Sequence, residues 1–105
     1  MASVCWTEQG DCFLRLGQLG EAATAYETAI ALAEKSDAVR DIAVGKGNLG
    51  TVRLLQRRYA DALAAHADAR ERFTKLDEPA NVAKSWHQTG IVYQEAGQPE
   101  AAEDA

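Results

Sequence analysis

Two cysteines, two histidines and one glycine-rich hexapeptide are the residues of this chain whose types could do chemistry. Cys5 and Cys12 could form a disulfide or supply a thiolate. On one predicted helix their separation is about 10 Å along the axis, beyond the reach of a mutual disulfide. Neither has a base beside it, which argues against a nucleophile. Free, half-buried thiols are the expectation, and they suit a reducing compartment. His66 and His87 could hold a metal, but no Cys or His stands near either at ligand spacing, so no metal site is expected. Gly45-Lys46-Gly47-Asn48-Leu49-Gly50 spells Gly-x-Gly-x-x-Gly. That pattern cradles a dinucleotide pyrophosphate when it joins a strand to a helix. Here it falls inside a predicted helix. The many carboxylates scatter over polar helix faces. No catalytic residue and no cofactor is expected.

The elements that would position these residues follow from composition and period. A chain of 105 residues is one domain at most. Its hydrophobic share of 47% is rich in alanine, which points to closely packed helices. Proline is nearly absent, glycine sits at punctuation points, and no period-2 stretch of β-branched residues marks a strand. The net charge of −5 is made of interspersed acids and bases. No basic stripe offers itself to nucleic acid. No 18-residue apolar run or leader is present, so no membrane partner is expected and the chain reads as cytoplasmic.

The strongest signal is a repeat. Gly10, Gly50 and Gly90 stand 40 residues apart, as do Ala22, Ala62 and Ala102, Trp6 and Trp86, Phe13 and Tyr93, and Gly17 and Gly97. A fixed period of this size marks an array of one supersecondary unit. The first unit, about residues 3–36, should hold helices over 3–16 and 20–35, with Ala22, Tyr26, Ala29, Ile30 and Ala33 as one buried stripe. The second, about 37–76, opens at Asp37 as an N-cap, runs its first helix to Gln56, places Tyr59 in the turn, and buries Ala62, His66, Ala69 and Phe73 on its second. The third, about 77–105, opens at Asp77, takes Pro79 in its first turn, and is truncated within its second helix. The fold expected is all-α: an α-solenoid of stacked antiparallel helix hairpins, about two and a half repeats. Small residues let helices approach, the aromatic at the Phe13 and Tyr93 phase fills the gap between hairpins, and His66 is expected to be a hydrogen-bonded core histidine.

This pattern resembles the tetratricopeptide repeat. Trp6-x-x-Gln9-Gly10-x-x-Phe13-x-x-x-Gly17 followed by Ala22, Tyr26 and Ala29 follows the family order, and Leu49-Gly50, Tyr59, Ala62, Ala69 and Trp86, Gly90, Tyr93, Gly97, Ala102 repeat it. The 40-residue step resembles the extended repeat of kinesin light chain, Pins-type adaptors and bacterial multidomain regulators. Departures are Gln9 and Thr89 in place of the family leucine and, in the middle unit, Lys46, Arg53 and Arg57 in place of Trp, Tyr and the turn Gly. Snorkelling stems are the expectation; a basic strip for an acidic partner is the alternative.

The resemblance implies a concave groove lined by the first helix of each unit. By phase it would hold Val4, Glu8, Asp11 and Leu14, then Val44, Asn48, Thr51, Leu54 and Leu55, then Lys84, His87, Gln88 and Ile91. Asn48 and Lys84 match the phases of a carboxylate clamp found in some members. Thr7, Asp11 and Gln88 break it, so that ligand is not expected. The function implied is non-catalytic binding of a partner's peptide or helix in the groove. The alternatives are a self-assembling module, joined through the unfinished third repeat, and a regulatory segment of a larger protein.

Overall fold

Each helix-forming stretch carries small and apolar residues at helical spacing, and in the second, third and fourth an acidic residue stands near the start and a basic one near the end. Glu21, Asp41 and Asp61 stand in first turns, and Arg15, Lys35, Arg53 and Lys75 in last turns, where they oppose the helix dipole. The computed structural model describes the backbone of residues 2–96 and the side chains of residues 6–96. The helices are α1 (Ala2–Arg15), α2 (Leu19–Lys35), α3 (Val39–Leu55), α4 (Tyr59–Lys75) and α5 (Pro79–Glu95). Among the described residues no strand occurs, and no helix is long and apolar enough to cross a membrane. The third unit's Gly97, Pro99 and Ala102 lie outside the described residues.

From α2 onward the helices begin 20 residues apart, at 19, 39, 59 and 79. The turns explain this regularity. Gly17, Asp37, Arg57 and Asp77 all adopt positive φ, between 55° and 77°. At each, two backbone bonds close the preceding helix: Gln18 N–H donates to Phe13 O and Gly17 N–H to Leu14 O, and the pairs at 38/37, 58/57 and 78/77 repeat the pattern. This is the Schellman arrangement. Asp37 and Asp77 therefore close helices instead of opening them. The N-cap positions are Ala38 and Glu78, neither with a side-chain cap bond. Tyr59 is likewise the first residue of α4, not a turn residue.

Neighbouring helices run antiparallel and pack in sequence, making an all-α solenoid. In addition α1 touches α3 and α3 touches α5, whereas α2 does not touch α4. The odd helices therefore crowd together and line the inner face of the curve.

Close approach depends on missing side chains. A Cβ on Gly10 would stand 2.6 Å from the Tyr26 ring, and one on Gly50 would stand 2.8 Å from the His66 ring. Gly45 makes the same room for Ile30, at 2.6 Å. Gly45 and Gly50 of the hexapeptide are thus spent on close packing of α3. Apolar clusters fill the rest: Ala22, Ala23, Tyr26 and Val52; Ile30, Ala33 and Ile42; Ala43, Ala69 and Phe73; Leu54, Ala62 and Val92. Phe13 packs on the first of these as the repeat phase predicts, but its counterpart Tyr93 is 49% exposed. Cys12 is exposed, not half-buried.

Lys46 and Arg53 of α3 have largely covered side chains that end in ion pairs, as snorkelling stems would, and they do not form an open strip. Lys46 pairs with Asp68 of α4 at 3.3 Å, and Arg53 pairs with Glu27 of α2 at 2.8 Å. Arg57 occupies a left-handed turn position, where a side chain costs about 1–2 kcal/mol. Arg57→Gly should therefore stabilise the fold by about 0.5–1 kcal/mol after the extra chain entropy of glycine. The measurement is a thermal or urea midpoint, which should rise; a fall would show that the arginine side chain contributes more than its backbone strain.

Candidate groove between the third and fifth helices

Facing stripes of α3 and α5 build a concave site on the inner side. On α3, Val44, Gly47, Asn48 and Thr51 follow the i, i+3, i+4, i+7 spacing of one helix face. On α5, Asn81, Lys84, Ser85 and Gln88 do the same. These eight residues, with Ala43 and with His66 and Phe73 of α4 beneath them, line a cavity of about 250 Å³. Gly47 helps to hold it open, since a Cβ there would meet nothing within 4 Å.

The hydroxyls of the lining are partly committed. Thr51 donates to Gly47 O at 3.3 Å, and Ser85 donates to Asn81 O at 3.0 Å. The Asn81 amide donates to Glu78 at 2.6 Å, and Glu78 is itself held by Arg40 at 3.0 Å. By contrast the side chains of Asn48, Lys84 and Gln88 make no hydrogen bond or ion pair among the described residues.

The floor is His66. It is 2% exposed, and its Nε2 has no hydrogen-bond partner, so the hydrogen-bonded core histidine expected from the sequence is not what forms. The comparison with Tyr26, its counterpart 40 residues earlier, gives the reason. Tyr26 reaches past Gly10 and donates its hydroxyl to Asp11 on α1. The shorter imidazole passes Gly50 but makes no such bond to Thr51, the counterpart of Asp11. Burial, then the Asp11 bond and charge, push the Tyr26 phenol well above its usual range, so it remains a donor. Burial, then the charge of Arg70, lower the His66 pKa.

The structure gathers Val44, Asn48, Thr51, Lys84 and Gln88 from the residues that the repeat phase assigns to a groove. It places the others elsewhere. Leu54 is 9% exposed and packs with Ala62 and Val92, and Ile91 packs against the same cluster. Leu14 packs on Ala22, Ala23, Tyr26 and Val52. Asp11 is half-buried under Tyr26, while Glu8, His87 and the 52%-exposed Leu55 are exposed and do not line the cavity. The Val4 side chain lies outside the described residues. Asn81, Ser85 and the His66 floor were missed by phase alone, because adjacent inner helices meet with a stagger. Their signal was present as the i, i+3, i+4, i+7 run on α5. Among the described residues, no three His, Cys, Asp or Glu side chains gather as a metal site.

Two family models, both described as tetratricopeptide repeat, match the chain, one over residues 41–105 and one over residues 3–36. Among curated proteins none matches. Among solved structures, BtubC (BKLC) from P. vanneervenii is similar with a TM-score of 0.79 at 23% identity. The match covers 90% of this chain and 41% of that one, so the chain spans less than half of that protein's length. At this identity the likeness speaks for the fold.

The buried imidazole gives the fold an acid limit. The His66 pKa is lowered in the folded chain, so below the ordinary value of about 6.5 the unfolded chain binds more protons. Its contribution to stability is present above that pH and is lost as pH falls towards the folded value. The thermal midpoint should drop between roughly pH 7 and pH 5, and His66→Gln should flatten that drop. An unchanged pH profile in the variant would assign the acid sensitivity to other groups.

Proposed function

Because the chain belongs to the tetratricopeptide repeat family, whose repeats generally bind proteins, we propose that it is a non-catalytic interaction module holding a peptide or helix of a partner protein. The partner segment lies across α1, α3 and α5. The observation that carries this reading is the cavity between α3 and α5, where Asn48, Lys84 and Gln88 present polar groups with no partner of their own. An Asn or Gln amide both donates and accepts, so it can hold the backbone of an extended segment. The half-buried Val44 offers apolar contact beside these groups. The exposed free thiol of Cys12 suits a reducing compartment such as the cytoplasm.

A second observation favours self-association. Trp86 and Tyr93, seven residues apart on α5, are 58% and 49% exposed, and nothing lies within 4 Å of a Cβ placed on Gly90 between them. The occupant of this face in the second reading is another copy of the chain.

Peptides selected from a random library on the wild-type chain provide the test of the groove. Gly47→Leu fills the cavity at a position with free space, and Asn48→Ala removes an amide. Each should weaken the selected peptides at least about tenfold, or 1.4 kcal/mol, without lowering the thermal midpoint. Peptides that bind both variants like the wild type would refute the groove. For the second reading, sedimentation velocity should show oligomers that dissolve in Trp86→Glu/Tyr93→Lys; a strictly monomeric wild type at high concentration removes it.

A further inference from the structure

A separate crevice lies at the turn between α4 and α5, and it shares no lining residue with the groove. We infer that it takes the side chain of an arginine from a partner protein, stacked on the Trp86 ring and paired with Asp77. This inference goes beyond the groove-binding reading and does not depend on it.

The walls suit a long side chain with a flat head. The crevice measures about 400 Å³. Pro79, Val82 and Ala83 of α5 line it with apolar surface, against which a methylene stem can lie. Trp86 completes the lining with an exposed indole. That ring is held in place, because Arg70 of α4 lies over it at 3.7 Å and also bonds Thr89. Arg70 lines the neighbouring crevice and not this one. The ring therefore already stacks one guanidinium and still borders open space. A guanidinium can lie flat on an indole while its N–H fork holds a carboxylate.

Charge names the occupant. The lining holds two carboxylates, Asp77 and Glu78, and no cation. Glu78 is engaged by Arg40 and by the Asn81 amide. The Asp77 side chain makes no hydrogen bond or ion pair among the described residues. Lys75, in the neighbouring crevice, forms no ion pair with it. An anionic occupant would meet both acids. An apolar one would take water from Asp77 and return no bond. A basic side chain answers the free carboxylate and the ring together. The pairing is particular to this turn. Forty residues earlier Asp37 stands in the same place, but Lys46 replaces the ring, and its ammonium is held by Asp68.

The test is an NMR titration of the two indole N–H signals of the dilute wild-type chain, assigned with Trp6→Phe. Probes are N-acetyl-arginine amide, its neutral isostere N-acetyl-citrulline amide, and N-acetyl-lysine amide, at constant ionic strength. The arginine probe should shift the Trp86 signal saturably and leave that of Trp6 unmoved. The citrulline probe should have no saturable effect, and the lysine probe should bind more weakly. Asp77→Asn should weaken the arginine probe about twofold to fivefold, the effect of losing one exposed ion pair. Asparagine accepts the positive φ of this position, so the variant should keep the wild-type thermal midpoint. A Trp86 signal unmoved by arginine overturns the subsite, as does an equal response to citrulline or an undiminished affinity in Asp77→Asn. Equal or tighter binding of lysine overturns the choice of arginine. A Trp86 signal that moves with chain concentration and not with arginine overturns it in favour of a second copy. No groove residue takes part, so the subsite can fail while library peptides still depend on Gly47 and Asn48.

Discussion

The contact between a glycine on an inner helix and a ring on the next helix sets the geometry of the whole array. Tyr26 lies against Gly10 and His66 against Gly50, in each case at a distance that a methyl group would close to under 3 Å. Helices that approach this closely leave room only for alanine between them, and Ala22, Ala62 and Ala69 are fully buried there. The same contact decides where the cavity forms. A tyrosine ring spans the gap and reaches Asp11. A histidine ring stops short, and the space it does not fill opens under α3 and α5. The groove is thus a consequence of one core residue being smaller than its counterpart.

Charge pairs then stitch the stack from outside. Arg53 to Glu27 and Lys46 to Asp68 link different helices, and Arg40 of α3 holds Glu78 at the N-cap of α5. Exposed pairs of this kind contribute little individually, about 0–1 kcal/mol. Their larger effect is on the surface potential, because they neutralise the basic residues of α3 and leave Lys84 distinct within the groove.

The repeat made most of the fold legible. Phases shared by Gly10 and Gly50, and by Ala22 and Ala62, report which faces must touch, and those contacts depend on residue size, which a sequence records directly. Aspartate in general favours the helix-opening role expected of Asp37 and Asp77. The backbone turn used them at positive φ, a choice that only the shared geometry with Gly17 and Arg57 reveals. The groove was legible in part. Val44, Asn48, Thr51, Lys84 and Gln88 follow from phase, but Leu54 obeys the next hairpin, and Asn81 and Ser85 depend on the stagger between inner helices. A stagger is a property of packing and has no mark in one unit alone. The small residues at Cys5, Gly45 and Ser85, again 40 apart, were the available hint that a second close contact exists.

The identical turns at 17, 37, 57 and 77 have a mechanical consequence. The joint inside a hairpin is the same as the joint between hairpins, so the unit of the array is one helix and its turn. Each described helix binds its chain neighbours, and only the inner ones also touch the next but one. Such a stack is a one-dimensional chain of short-range couplings. Pulled from its ends, it yields one helix at a time, and each step of 20 residues releases roughly 70 Å of extended chain. A segment lying across α1, α3 and α5 would clamp three such units at once, so its removal converts a tied block into separately yielding links.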